Sequence, residues 1–319
     1  IWLGIGLLCL IASILWFNDY KKLANYKYLL AVIGAVALFL PIFIGIEQGG
    51  AKSWLDLKLF TLQPSEFVKI ILVLFLASFL SENKFILNRK ALVLQVWGPL
   101  LTMWGIGIIL LVCQRDLGTA LIYSGTFLTM LYMASSRIIY VLAGLVLFIS
   151  GAITAGTIFS HVAIRYVTWI NPWNYPQTEG YQILQSLYAL GSGGLAGSGL
   201  GGGYPYLIPA VHTDFIFSAL TEETGLLGAV GILILYLCLI YRGFVIALKA
   251  KDEFSSLLAG GLTALLGLQV FIITAGVIRL LPLTGVPLPY ISYGGSSLVA
   301  NMIIVGMLLN ISAQNKEKP

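Results

Sequence analysis

Residues 138–159 read IIYVLAGLVLFISGAITAGTIF, an unbroken run of 22 residues without a charged side chain. A helix of this length extends about 33 Å, which matches the roughly 30 Å hydrocarbon core of a bilayer. Inside a bilayer a helix satisfies all its backbone hydrogen bonds internally, and its apolar surface faces lipid or other helices. The run therefore predicts a membrane-spanning helix.

The rest of the chain has the same character. Of its 319 residues 59% are hydrophobic and 10% are charged, whereas a soluble domain carries about 25% charged residues. The apolar runs predict nine spanning helices, at 1–17, 28–46, 66–81, 93–113, 117–134, 138–159, 215–241, 255–279 and 296–312. We expect an all-α fold, a polytopic helical bundle that forms one transmembrane domain over 1–319 and carries a large outer loop at 160–214.

The basic residues predict the orientation of this bundle. Twelve of the 18 lie in one set of loops, among them Arg89, Lys90 and Lys318, and six lie in the alternate set. By the positive-inside rule the richer set faces the cytoplasm, so the loops 47–65, 160–214 and 280–295 face outward. Ile1 then starts outside, which predicts an odd number of helices upstream, most simply one. The net charge of +5 does not indicate nucleic-acid binding, because no polar domain gathers the basic residues.

Five acids are predicted at or within the membrane: Glu66, Asp116, Asp214, Glu222 and Glu223. An ionisable group at that depth costs about 2.5–3.5 kcal/mol on insertion scales, so each one needs a reason.

Two of these acids stand next to basic residues. Glu66 and Lys69 are spaced i, i+3 on one helix, which fits either a structural ion pair or a pair that lines a polar cavity. Asp116 can cap the helix that follows it, and Arg115 beside it fits either an anionic headgroup or an ordinary interface anchor.

Asp214 closes the long loop at the start of a helix. The helix dipole there lowers the pKa of an aspartate and weakens it as a base, unless burial offsets the effect. Ser218 and Glu222 follow on nearly the same face, with Glu222 roughly 12 Å further along the axis. Two acids on one stripe indicate a wet cavity that descends from the outer surface.

Two glycine- and proline-rich segments flank this helix in the sequence. Residues 191–203 hold eight glycines, which fits either a pyrophosphate cradle of backbone N–H groups or a flexible turn. Residues 279–297 hold three prolines and three glycines, and such irregular backbone persists at membrane depth only where it is buried or lines a cavity. Arg165 and Arg279 fit phosphate recognition, or surface anchoring.

Four strings place these residues in a known pattern: QPSEFVKI at 63–70, QRDLGTAL at 114–121, HTDFIFSALTEETGLLG at 212–228 and LPLTGVPLPYISYGGSS at 281–297. Together they resemble the SEDS family, typified by FtsW, RodA and SpoVE, over essentially the whole chain. The resemblance implies ten spanning helices, of which this chain lacks the first. It also implies a peptidoglycan glycosyltransferase that polymerises lipid II on the outer face of the bacterial cytoplasmic membrane, beside a class B penicillin-binding protein as transpeptidase partner.

The resemblance also assigns residues. The essential aspartate of the family falls on Asp214, and other motif positions fall on Glu66, Lys69 and Asp116. Arg115 stands where many members have proline, and Ile273 stands where many have asparagine. The predicted substrate-binding residues are Arg165, Arg279, Glu66, Lys69, Arg115, Asp116, His212, Ser292 and Ser296.

The chemistry of glycosyl transfer fits these residues. The reaction needs a base for the acceptor hydroxyl and positive charge for the departing pyrophosphate. Asp214 is the predicted base, and Arg165, Arg279 and Lys69 are the predicted pyrophosphate ligands. A divalent cation, Mg²⁺ or Mn²⁺, held by Asp214 would supply similar charge, although the sequence contains no closed set of metal ligands. Two alternatives stay open, a lipid II flippase and a non-catalytic scaffold for a penicillin-binding protein.

Overall fold

The computed structural model describes the whole chain except residues 49, 59, 88–93 and 317–319. Eleven α-helices account for most of this described part: α1 Trp2–Trp16, α2 Lys27–Ile44, α3 Pro64–Leu87, α4 Leu94–Cys113, α5 Leu117–Ser135, α6 Ile138–Ile158, α7 Ser160–Ile170, α8 Tyr181–Ser192, α9 Ile216–Leu248, α10 Glu253–Val277 and α11 Gly295–Lys316. Short 3-10 helices occupy Phe17–Tyr26, Pro172–Asn174 and Pro205–Leu207. The predicted all-α membrane fold is confirmed.

Eight helices among the described residues are long and apolar enough to cross a membrane, in agreement with eight of the nine predicted spans. The remaining one, predicted at 1–17, is helical, but its apolar stretch Trp2–Leu15 is shorter than a full span. Arg89, Lys90 and Lys318, three of the residues behind the predicted orientation, lie outside the described residues.

The segments between the spans are more ordered than predicted. The loop 47–65 contains a three-stranded antiparallel sheet, β1 Ile46–Gln48, β2 Ala51–Asp56 and β3 Thr61–Leu62, in the order β1-β2-β3. The register pairs Ile46 with Trp54 and Leu55 with Leu62. Strands of two to six residues are too short to show a reliable alternation of apolar and polar residues. The predicted outer loop 160–214 contains α7 and α8.

The chain divides into two compact units. Unit 1 comprises 1–145, 240–268 and 295–319, and in it α1 packs on α11, α2 on α3 and α3 on α5. In α3, Val73, Leu76 and Leu80 are fully buried, so this helix lies at the centre of unit 1. Unit 2 comprises 146–239 and 269–294, and its core is a cluster that includes Phe215 and Leu288.

The long helix α9 in fact consists of two helices joined at Gly225, whose backbone is non-helical with φ 69° and ψ −172°. The glycine-rich segment replaces the helical hydrogen bonds lost at this break. Ser198 N–H and Gly199 N–H donate to the carbonyls of Glu222 and Glu223, over 2.9 and 3.0 Å. In return, the N–H groups of Leu226 and Leu227 donate to the carbonyls of Gly194 and Leu195, over 2.9 and 3.2 Å. These four bonds satisfy backbone N–H and carbonyl groups that the break removes from the helix, as a low-dielectric environment requires.

The glycines of this segment make the close approach to α9 geometrically feasible. A β-carbon on Gly193 would lie 2.3 Å from the Thr221 carbonyl oxygen, and one on Gly197 would lie 2.1 Å from that of Glu223. The N–H groups of Ser198 and Gly199 already donate to α9 and are not free to bind a pyrophosphate. The two interpretations of the glycine run made from the sequence, a pyrophosphate cradle and a flexible turn, stay predictions for the rest of the run.

The break also changes where Glu222 and Glu223 lie. The part of α9 after Gly225 holds residues 226–248, which extend about 35 Å and suffice to cross a bilayer. Both acids belong to the short first part, 216–224. The candidate span Ile216–Leu248 includes both acids, and the break at Gly225, which the sequence does not reveal, separates them from its longer part.

Candidate functional site

The ten predicted site residues divide equally between the two units. Unit 2 holds Asp214 together with Arg165, Arg279, His212 and Ser292, and unit 1 holds Glu66, Lys69, Arg115, Asp116 and Ser296.

Asp214 lies in a tight turn that ends two residues before α9. The turn is closed by hydrogen bonds from the N–H groups of Thr213 and Asp214 to the Ala210 carbonyl, over 3.2 and 3.1 Å. Ala210 has a left-handed backbone with φ 53°, and Phe215 on the other side is 1% exposed within the unit 2 core. A buried aromatic side chain and a closed turn thus fix the backbone that carries the partly exposed Asp214 carboxyl.

The segment after α10 packs against this turn. Tyr293 N–H donates to the His212 carbonyl over 2.8 Å, and the Ser292 hydroxyl donates to the Thr213 carbonyl over 2.5 Å. Ser292 Oγ also accepts from Leu288 N–H over 2.8 Å, so this side chain holds the two segments together. The role predicted for Ser292 and His212 in substrate binding stays a prediction.

Gly285 brings the same segment close to the Asp214 carboxyl. Its φ is 72°, and a β-carbon placed on it would lie 3.7 Å from Oδ2 of Asp214. The Gly285 backbone thus lies beside the carboxyl. Next to it, the Thr284 hydroxyl is buried without a hydrogen-bond partner in the described part of the chain. Sequence reasoning missed Thr284, since nothing in its local pattern marks a buried hydroxyl.

The environment of Asp214 favours the protonated carboxyl more than water does. Burial raises its pKa above the ordinary value for aspartate, and this effect exceeds the lowering by a hydrogen bond with Thr213 and by the positive charge of Arg165. The expectation that burial could offset the helix dipole therefore agrees with the structure. A carboxyl with a raised pKa is a stronger base once it is ionised.

Helix α7 packs against the segment 279–284, which itself begins with Arg279, and brings Arg165 to it. Arg165 Nη1 lies 3.5 Å from the Thr284 carbonyl oxygen, and one turn later the indole N–H of Trp169 donates to the Arg279 carbonyl over 3.1 Å. Arg279 itself has a left-handed backbone with φ 60°, just past the end of α10. Both arginine side chains are partly exposed.

In unit 1, Glu66 and Lys69 form a closed ion pair. Lys69 Nζ lies 2.6 Å from Glu66 Oε2 and 3.5 Å from the Asn301 side-chain oxygen on α11. The two residues are 5% and 2% exposed, so water has almost no access to either. This geometry agrees with the structural ion pair, and substrate binding by these residues stays a prediction.

Asp116 is the N-cap of α5, as its position in the sequence predicts. Its carboxylate accepts from the N–H of Thr119 over 3.1 Å and from the Thr119 hydroxyl over 2.8 Å. Gln63 Nε2 donates to it over 3.2 Å, and the N–H of Gln63 donates to the Ser296 hydroxyl over 3.0 Å. Burial raises the pKa of Asp116, an effect that the Thr119 hydrogen bonds partly offset and the Glu66 charge reinforces.

Arg115 and Gln114 form the turn between α4 and α5. Arg115 is exposed and has a left-handed backbone with φ 62°. Gln114 is 1% exposed, its side-chain amide donates to the Leu38 carbonyl, and its own carbonyl accepts from Lys52 N–H over 2.9 Å. Gln114 therefore anchors the turn, which sequence reasoning did not assign to it.

The side chains around Asp214 do not make a metal site by themselves. Across the residues that the structure describes, no group of three or more His, Cys, Asp and Glu side chains could hold a metal ion. Asp214 has the Thr213 hydroxyl and the Arg165 cation as polar neighbours, and a cation disfavours a bound metal. We therefore assign no step of a reaction to a metal.

Comparisons with a family model and with individual relatives agree on one family. Residues 1–317 match the family described as cell cycle protein FtsW, RodA and SpoVE. The chain is 40% identical over 323 residues to the peptidoglycan glycosyltransferase RodA of Mycobacterium tuberculosis, with 98% of this chain and 69% of the relative covered. It is 38% identical over 305 residues to stage V sporulation protein E of Bacillus subtilis, covering 93% and 82%.

A solved structure shares the fold. This structure belongs to a study of how a peptidoglycan synthase complex coordinates polymerization and crosslinking. The TM-score is 0.83 at 27% identity, with 99% of this chain and 89% of the other covered.

Proposed function

We infer that this chain, which belongs to the FtsW, RodA and SpoVE family, is a peptidoglycan glycosyltransferase, and we propose that Asp214 is its catalytic base. The resemblance to this family is confirmed by the match over residues 1–317. The proposed reaction joins lipid II units into glycan strands.

The observation that carries the proposal is the setting of Asp214. Its carboxyl is held by a closed turn, faces the side-chain-free Gly285, and has a pKa that burial raises. A base in glycosyl transfer must accept the proton of the attacking sugar hydroxyl as the new bond to the anomeric carbon forms. A raised pKa strengthens that base and still leaves it ionised when the pH exceeds the pKa.

Arg165 and Arg279 are the proposed ligands of the departing pyrophosphate. Arg279 begins the segment 279–284, Arg165 lies against it, and both belong to the same unit as Asp214. A guanidinium group can give two parallel hydrogen bonds to phosphate oxygens and stabilise the charge that develops on them. Lys69 is left out of this role, because its ammonium is buried against Glu66.

Unit 1, taken by itself, contains a cavity that suits an apolar chain. A cavity of about 250 Å³ lies among α2, α3, α4 and α5 with an almost entirely apolar wall, which includes Val32, Leu38, Leu72, Phe75, Met103 and Ile106. An isoprenoid chain fits such a wall through burial of its apolar surface.

The location and partner of the enzyme follow as proposals. The positive-inside distribution of basic residues would direct Asp214 to the outer face of the bacterial cytoplasmic membrane. The related structure of a synthase complex that couples polymerization and crosslinking supports a class B penicillin-binding protein as partner. No specific observation favours the flippase or the scaffold over the polymerase.

Reconstitution tests this function directly. The full chain is placed in liposomes with labelled lipid II, alone and with its transpeptidase partner, and products are separated on a gel. We expect glycan strands. Movement of lipid II across the bilayer without any strand would instead establish a flippase, and neither activity would leave a scaffold.

The pH dependence of polymerisation tests the link between Arg165 and Asp214. The base must be unprotonated, so kcat/KM falls as the pH drops through the pKa of Asp214. Because the Arg165 charge lowers that pKa, Arg165→Gln should raise it and move the acid limb of the pH profile to higher pH.

Exposed Arg242 at the other end of α9 supplies the matched control. Arg242→Gln removes the same charge and should leave the acid limb in place. If the acid limb of the pH profile does not shift in Arg165→Gln, the Arg165 charge does not affect the pKa of the base.

A further inference from the structure

Glu222 carries a buried carboxyl that the proposed reaction does not use. The residue is 5% exposed and lies in the short first part of α9. Its Oε1 accepts a hydrogen bond of 3.3 Å from the Ser192 hydroxyl at the end of α8. Its Oε2 is buried and has no hydrogen-bond partner among the described residues.

No basic side chain in the described part of the chain pairs with Glu222. Ion pairs among the described residues include Lys21 with Asp252, Lys27 with Glu82, Lys69 with Glu66 and Lys84 with Glu253. A buried carboxylate with one hydroxyl donor and no compensating charge is strongly unfavourable, so its persistence calls for a further partner.

The structure provides the space for such a partner. A cavity of about 190 Å³ adjoins Glu222, and its wall combines Gln185, Tyr188, Ser192 and Tyr204 with the apolar Ala189, Leu207 and Ile208. Tyr188 and Tyr204 are 52% and 60% exposed, so the cavity can be reached from outside. All of these residues belong to unit 2.

The glycine-rich segment shapes this cavity. A β-carbon on Gly203 would lie 3.0 Å from Glu222 Oε2, so the missing side chain leaves the carboxyl its room. The hydrogen bonds from Ser198 and Gly199 to the α9 backbone hold the segment beside Glu222. The position of the carboxyl is thus set by the same contacts that close the helix break.

From this geometry we infer that Glu222 is the anion of a binding site for a primary ammonium group. An ammonium supplies up to three N–H donors, which suit Oε2 of Glu222 and the hydroxyl oxygen of Ser192. It also brings the positive charge that the buried carboxylate lacks, and aromatic residues such as the two tyrosines of the cavity wall are common in cation sites. A neutral sugar hydroxyl would supply a donor and leave the charge uncompensated.

Two sources of this group are chemically available in a membrane. One is the ethanolamine headgroup of a phospholipid, and the other is a free amine on the peptide of a lipid-linked substrate. Only the second source rests on the proposed function, so the ammonium site can be tested without the polymerase reaction.

Ethylammonium is the probe for this test. The full chain is placed in nanodiscs of phosphatidylcholine, and saturation-transfer NMR measures binding of the probe at neutral pH. Wild type should bind ethylammonium, and Glu222→Gln should weaken binding at least tenfold. Glu223→Gln removes the same charge one residue away, at a partly exposed position, and should bind as wild type does. Equal binding by Glu222→Gln and wild type, or no binding by wild type, would overturn the inference.

Gly203→Ala provides a second variant if Glu222→Gln does not fold. Its methyl group would press on the Glu222 carboxyl from 3.0 Å, at a backbone position that does not require glycine. It should also weaken ethylammonium binding, and unchanged binding would again contradict the site.

Competition identifies the source of the ammonium. Displacement of ethylammonium by phosphatidylethanolamine in the nanodisc supports the lipid headgroup. Displacement by a lipid II that carries a free peptide amine, and not by its N-acetylated form, supports the substrate. Both results confirm the ammonium site, and the polymerisation assay is judged apart from either.

Discussion

Asp214→Asn should lower the rate of glycan polymerisation by about 10²–10⁴-fold, the contribution usual for a general base. The amide has nearly the shape of the carboxyl and cannot accept the proton of the attacking hydroxyl. The turn that carries it is closed by backbone hydrogen bonds to Ala210, which the substitution leaves intact. The measurement is the initial rate of strand formation from labelled lipid II.

The folded state of this variant should be at least as stable as wild type. Burial raises the pKa of Asp214 above its value in the unfolded chain, so the unfolded state holds the carboxylate more easily. Ionised Asp214 therefore lowers the free energy of unfolding as the pH rises through the window between the two pKa values. Above that window the neutral asparagine avoids this loss of stability, and the Tm of the variant should be equal to or higher than that of wild type.

A matched substitution makes the result specific. Asp56 is an exposed residue of β2 in unit 1, and Asp56→Asn should change neither the rate nor the Tm. Strand formation at the wild-type rate by a folded Asp214→Asn variant would remove Asp214 from catalysis and leave the family assignment untouched.

The second large effect concerns stability. Gly197→Ala should lower the free energy of unfolding by about 3 kcal/mol or more, since it combines backbone strain with steric overlap. Gly197 has φ 83°, and its added β-carbon would lie 2.1 Å from the Glu223 carbonyl oxygen. The segment would have to leave α9, and the hydrogen bonds at the helix break would be lost with it.

Two other glycines separate the two causes. Gly199 has φ 91° with open space around the added β-carbon, so Gly199→Ala should show strain alone, about 1 kcal/mol. Gly191 lies in α8 with open space and without a positive φ, so Gly191→Ala should be neutral or slightly stabilising. Thermal unfolding of the purified variants measures the series. Equal Tm values for Gly191→Ala and Gly197→Ala would contradict the described packing.

The spanning helices could be predicted because their signal is local. A run such as 138–159 has no charged residue, and a bilayer leaves helices as nearly the only option for such a run. The break in α9 could not be predicted, because Gly225 follows a regular helical pattern and the hydrogen bonds on either side of the break are made with residues 194–199, distant in the sequence.

The candidate site also has features that the sequence predicts and features that it does not. Asp214, Asp116 and the Glu66–Lys69 pair were found from motif and spacing, and the cap and the ion pair are present as the spacing predicts. The roles of Ser292 and Gln114 were not visible, since Ser292 bonds Thr213 at a separation of 79 residues and Gln114 bonds Leu38 at 76.

The hydrogen bonds between residues 193–199 and α9 have a practical consequence for anyone who labels this protein. The glycine run looks like the natural position for an epitope tag or a fluorescent reporter, because exposed polar loops usually accept insertions. Here a single inserted residue would shift every later pairing with the helix by one position, as a register slip does in a sheet. The stretch 173–179, which is exposed at every residue, is the better position for such an insertion.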